Sequence, residues 1–148
     1  MANVQSYGIA PYWIQDGQVY IFLCKASDSR YKWGFLKGTM NSKERPQECA
    51  RREFYEESGI LVEYDFFEDY FDQENDRKDV GIWLVNAHNI KSIDKFLDKD
   101  MKLKPKYRSK ELSDAGFFDI AHMPPIKNNQ YQMMFDVVDF LKHHKVNN

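Results

Sequence analysis

Glu44, Arg52, Glu53, Glu56 and Glu57 are the residues whose types and spacing could do chemistry in this chain. They lie in the stretch GTMNSKERPQECARREFYEESGI, residues 38–60. Pro46 suits the first turn of a helix, where its missing amide costs nothing, and Gly59 can take the left-handed conformation that ends one. At about 100° per residue, with Ala50 at zero, Phe54 falls at about 40°, Glu57 at about 340°, Glu53 at about 300° and Glu56 at about 240°. Three acids therefore share one arc, and Glu57 sits beside the apolar residues Ala50 and Phe54, not opposite them as in a solvated helix. Acids at i, i+3 and i+4 repel by a few tenths of a kcal/mol per pair. Partly buried acids so crowded hold protons or share cations, and hard divalent ions, Mg2+ first, suit oxygen ligands. Arg52 is expected to orient one acid, not four.

Gly38, five residues, Glu44, seven residues, Arg52-Glu53, then Glu56-Glu57, Gly59 and the apolar Ile60 make a complete Nudix box. The chain thus resembles the Nudix hydrolases. The resemblance implies a mixed-sheet α/β/α sandwich and Mg2+-dependent pyrophosphohydrolysis, with Mn2+ as an alternative ion. It assigns metal ligation to Glu56 and Glu57, with the Gly38 carbonyl and Glu53 as further ligands. Glu53 or an acid outside the box serves as general base, Arg52 orients a neighbouring glutamate, and Glu44 supports that network. Glu111 is the expected outside acid, with Asp114 and Glu74 as rivals.

Polyphosphate carries charge that repels a nucleophile, so a site must offer cations, an anion-tolerant rim and a base. The run KDMKLKPKYRSK, residues 99–110, has a local net charge of +5. Lys102, Lys104, Lys106 and Arg108 there are candidates to meet phosphates and steer them in. Lys37, just before the box, is a further substrate-binding candidate. Trp33, Tyr70, Phe71 and Trp83 either stack on a base or belong to the core.

The elements that must position these residues read as α/β or α+β by periodicity, in one domain over the 148 residues. Val4–Ile14 and Gln18–Lys25 read as strands around the hairpin turn Asp16-Gly17. Trp33–Leu36 reads as a short strand, Ile60–Asp72 and Asp79–Ala87 as a second strand pair, Ile90–Leu97 as a short helix and Leu112–Ile120 as a strand. A last helix is predicted to be capped by Asn129, with Gln132 reciprocating and Tyr131, Met134, Phe135, Val138 and Leu141 as its stripe. Cys24 and Cys49 are too few for a disulfide framework and read as buried thiols. The start MANVQSYG has no signal-peptide pattern and no run approaches a membrane span, so a cytoplasmic protein is expected.

A net charge of −2 argues against a generic grip on long nucleic acid. The approach WGFLKG and the run ECARRE are similar to decapping members of the family, and the Trp with Lys-Gly is similar to diadenosine tetraphosphate hydrolases. The chain length and charge favour a dinucleoside polyphosphate or nucleoside triphosphate as substrate. Capped or triphosphorylated RNA 5′ ends are the alternative, and a non-catalytic nucleotide-binding module is a third reading.

Overall fold

The structure is a computed structural model describing residues 3–145. Strands β1 (Val4–Gln15) and β2 (Gln18–Ala26) form the expected hairpin, with Asp16 and Gly17 both at positive φ (53° and 80°). β3 (Lys37–Thr39), β4 (Tyr70–Glu74), β5 (Lys78–Asn86) and β6 (Leu112–Asp119) complete a sheet of order β4-β5-β1-β2-β6, with β3 also on β1. The sheet is mixed, since β1 and β5 run parallel while the other pairs are antiparallel.

Side-chain alternation divides the core between the two faces. Tyr7, Ile9, Phe22, Trp83 and Val85 meet helix α1 (Pro46–Ser58) through Cys49, Ala50 and Phe54. Ala10, Tyr12, Ile21, Leu23, Ile82 and Leu84 meet helix α2 (Tyr131–Phe140) through Met133, Met134 and Val137. This is the expected α/β/α sandwich.

One side of β1 is shared. Its second half pairs with β2 from Tyr12 to Gln15, and its first half pairs with β3 at Ser6–Gly8. The β2 register stops at Tyr12 opposite Ile21, next to Pro11, which has no amide proton to give. β2 thus parts from β1, and the chain leading to β3 takes the freed side of β2 at Gly34, which exchanges two backbone hydrogen bonds of 2.9 Å with Cys24.

Four sequence expectations are corrected. Trp33–Leu36 is not a strand: all four residues are buried, and the backbone amides bond singly to Pro125, Cys24 and the Gln130 side chain instead of forming a ladder. In 60–72 only Tyr70 onward joins the sheet. The carbonyl of Val62 accepts from Arg51 Nε at 2.8 Å and Arg51 lies over the Tyr64 ring, which draws the segment to α1 as a 3-10 turn at Tyr64–Phe66. The predicted helix at 90–97 is a 3-10 turn, Ile93–Phe96. Asn129 does not cap α2, and Gln132 bonds Asp136 instead. There, the buried Gln130 side chain accepts the Phe35 amide and fixes the helix entry, so Met133 and Val137 face the sheet while Tyr131 and Phe135 are exposed. Cys24 and Cys49 are free and buried. Among the described residues no helix is long and apolar enough to cross a membrane.

Candidate active site

Helix α1 starts at Pro46 despite the poor cap Arg45, because Glu48 Oε1 accepts the Arg45 amide at 2.8 Å. It ends where Gly59, at φ 76°, donates to the Tyr55 carbonyl. Between these points the acids take different environments. Glu57 is 8% exposed, the Glu53 side chain 16% and the Glu56 side chain 54%.

Arg52 does more than the sequence suggested. It grips Glu44 through Nε and Nη2 at 2.6 and 2.9 Å, and Nη1 reaches Glu53 at 2.7 Å and Glu56 at 2.8 Å. Nη2 also donates to the Thr39 carbonyl, tying the network to β3. One planar guanidinium with five donors therefore satisfies three carboxylates, where the sequence reading expected one. Its hydrogen bonds hold Glu44 below the ordinary carboxylate range. Glu53 is still pushed upward, since burial outweighs its bonds to Arg52.

The Glu53 carboxylate lies against the Cα of Gly38, where a side chain would overlap it, and the Gly38 carbonyl accepts from the Cys49 thiol at 3.3 Å. Gly38→Ala is expected to displace Glu53 from Arg52 and β3, lowering stability by about 2 kcal/mol or more and cutting turnover. Thermal unfolding with parallel kinetics tests this, and a variant with unchanged melting and turnover refutes it.

Glu57 stands outside the Arg52 network. Its neighbour is Glu111, brought there by main-chain bonds: the Ser109 amide donates to the Glu57 carbonyl at 3.0 Å, and the Ser27 amide to the Glu111 carbonyl at 2.8 Å. Burial, then the Glu111 carboxylate beside it, pushes Glu57 up to about 7. Of the three outside acids considered, Glu111 is the one that meets the box. Asp114 is taken by Lys102 and Arg108, and Glu74 pairs in register with Asp79 on the β4–β5 edge.

Glu57 and Glu111 line a cavity of about 410 Å³ with Cys24, Ser27, Lys37 and Lys127. It opens where β2 parts from β1. Lys37 is lowered to about 8, first by burial and then by the ammonium groups of Lys78 and Lys127. The basic segment takes another course. Lys104, Lys106 and Arg108 do not line this cavity. Tyr107 turns in against Gly59 and Phe96, Lys106 lies along the Tyr107 ring, Arg108 reaches Asp114, and Lys102 sits over Trp33. Lys127 and Gln130, which do line it, had no sequence signal beyond a lone lysine and glutamine after a Pro-Pro break. Trp33 and Trp83 are core residues.

No three Asp, Glu, His or Cys side chains among the described residues are gathered as a metal cluster. The donors still fit Mg2+, which keeps several waters and is commonly held by one or two carboxylates plus substrate phosphates. Glu57 and Glu111 supply such a pair, and a cation there would relieve their repulsion.

The Nudix-domain family model matches residues 7–137, and the chain belongs to the Nudix family of hydrolases. Over 98 residues it is 29% identical to the m7GpppN-mRNA hydrolase dcap-2 of Caenorhabditis elegans, a match spanning 66% of this chain and 11% of that protein. A crystal structure of a C. elegans Ap4A hydrolase binary complex is similar at TM-score 0.63 and 20% identity, covering 93% of this chain and 97% of that one. A NUDIX hydrolase from Nitrosomonas europaea is similar at TM-score 0.66 and 18% identity, covering 97% and 75%. At these identities the two structural likenesses concern the fold.

Proposed function

We propose that this chain is a cytoplasmic, divalent-cation-dependent pyrophosphohydrolase that cleaves a phosphoanhydride bond in a nucleoside polyphosphate, with dinucleoside polyphosphates and nucleoside triphosphates first. One observation carries this reading: a single cavity has two adjacent carboxylates, Glu57 and Glu111, and two ammonium groups, Lys37 and Lys127, in its lining. A polyphosphate needs both, because cations between acids and phosphate must coexist with direct cationic donors to the remaining oxygens.

Glu57, Glu111, Glu56, Glu53 and the Gly38 carbonyl are the groups that would hold Mg2+ or Mn2+. A bound ion supplies positive charge against phosphate oxygens and acidifies water held beside them. Arg52 holds Glu53 and Glu56 in place, and Glu44 holds Arg52. Lys37 donates to phosphate oxygen, and its partial burial strengthens that contact. We assign the proton-accepting role to the Glu111 oxygen that a bound ion would leave free, over Glu53, because Glu53 already serves Arg52 while Glu111 sits on a loop at the cavity wall.

Capped RNA 5′ ends are the second reading, favoured by the identity with the mRNA hydrolase. Incubation with Mg2+ and a panel of diadenosine tetraphosphate, nucleoside triphosphates, and capped and triphosphorylated RNA separates the two. Faster turnover of the small nucleotides is expected. Preferred release of a capped nucleotide from RNA supports the second reading, and binding without cleavage of any member refutes the hydrolase.

A further inference from the structure

Glu57 and Glu111 stand side by side and repel each other. Arg52 serves Glu44, Glu53 and Glu56 instead, and neither Glu57 nor Glu111 takes part in an ion pair among the described residues. The pair is assembled through the backbone of the turn 109–112. The Leu112 amide closes that turn on the Ser109 carbonyl at 3.2 Å, and the Ser109 amide fastens it to the Glu57 carbonyl at 3.0 Å.

Two serines take up the backbone groups of Glu111. Ser109 Oγ accepts the Glu111 amide at 3.2 Å, and the Ser27 amide donates to the Glu111 carbonyl at 2.8 Å. Ser27 Oγ donates to the preceding carbonyl, that of Lys110, at 2.7 Å. Ser27 follows β2 directly, just past a bulge: Lys25 faces Asp114 but Ala26 faces Leu112, so Ser113 is the extra residue, and such a bulge bends the start of β6. The Ser27 loop is braced in its turn. The Ser29 amide donates to the Ala26 carbonyl and Ser29 Oγ to the Lys32 carbonyl, both at 2.9 Å.

We propose that Ser27 is a positioning residue of the active site: its hydroxyl and amide hold the chain at 110–111 so that Glu111 stays beside Glu57 before a divalent cation arrives. This rests on the reading of that pair as a cation site, and adds the residue that keeps the pair assembled. A loop free to swing away would have to be ordered by the ion itself, which would weaken binding. Ser27 is an exposed residue at the rim of the cavity, so removing its hydroxyl acts on the Glu111 loop and costs the core nothing.

The test uses Ser27→Ala, the conservative Ser27→Thr, and Ser113→Ala, which removes a hydroxyl bond of 3.2 Å to the Lys25 carbonyl from the same strand boundary without touching residues 110 and 111. Titration with Mn2+ alone, followed by electron paramagnetic resonance, is expected to show about a 10-fold weaker affinity in Ser27→Ala, recovery in Ser27→Thr and no change in Ser113→Ala. With Mg2+ and diadenosine tetraphosphate, kcat of Ser27→Ala should fall about 10-fold while KM is kept. Its melting temperature in metal-free buffer should stay within about 2 °C of wild type. An unchanged Mn2+ affinity in Ser27→Ala, or an equal loss in Ser113→Ala, overturns the role of Ser27, and the hydrolase reading survives if the wild type still cleaves. If the wild type cleaves nothing yet binds Mn2+ in a Ser27-dependent way, the hydrolase reading fails and the positioning role stands.

Discussion

Glu57→Gln is expected to lower kcat by about 1,000-fold or more, because it removes the buried oxygen charge that would meet a divalent ion. Glutamine keeps the shape and fits the space, so the fold should persist. The same substitution has a thermodynamic signature. Glu57 has an ordinary value of 4.5 and is pushed up to about 7 in the folded protein, so between these the native state binds more protons than the unfolded chain. Without divalent ions, wild-type stability should therefore fall as pH rises through that window, and the Gln variant should lose this slope. Mg2+ should raise the melting temperature of the wild type at neutral pH and leave the variant nearly unmoved. Turnover within about tenfold of wild type, with the Mg2+ shift intact, would remove Glu57 from the site.

Arg52→Ala carries the second large effect. It strips the donors from Glu44, Glu53 and Glu56 together, leaving three crowded carboxylates with no shared cation. The Glu44 and Glu53 side chains are mostly buried, whereas Glu56 is half exposed and contributes less. A stability loss of about 2–3 kcal/mol is expected, with turnover down about 100-fold as the acids shift. Lysine should rescue little, since one ammonium cannot reproduce the planar fork that spans Glu44 and Glu53. Arg52 holds Glu44 below its ordinary value, so that part of the stability is present at neutral pH and lost as the carboxylate protonates on acidification. The gap between wild type and variant in urea unfolding should thus narrow at low pH. Equal unfolding midpoints at neutral pH would show that the network contributes nothing.

The box helix was legible because its information is local. Pro46, Gly59, the apolar pair Ala50 and Phe54, and the adjoining arc of acids all act within a few turns of one another, and the observed helix runs from Pro46 to Ser58. The hairpin at Asp16-Gly17 was legible for the same reason. The segment at 60–72 misled because alternation at Val62, Tyr64 and Phe66 mimics a strand. The competing partner, Arg51, belongs to a different element, and its hold on Val62 and Tyr64 follows from docking.

The chain's own order of residues determined the Nudix box, the helix carrying it, the identity of the acids and the central hairpin, since these depend on spacing and short-range sterics. Tertiary structure alone decided how the acids are divided. Arg52 collects three, while main-chain bonds from Ser109 and Ser27 bring Glu111 to the fourth. It also put Lys37 and Lys127, two lysines far apart in the sequence, in the lining of the cavity that holds Glu57 and Glu111, where Lys104, Lys106 and Arg108 of the conspicuous basic run are absent. Charge density along a chain says nothing about which ammonium groups face one cavity; that depends on where β2 leaves β1 and how α2 enters the sheet.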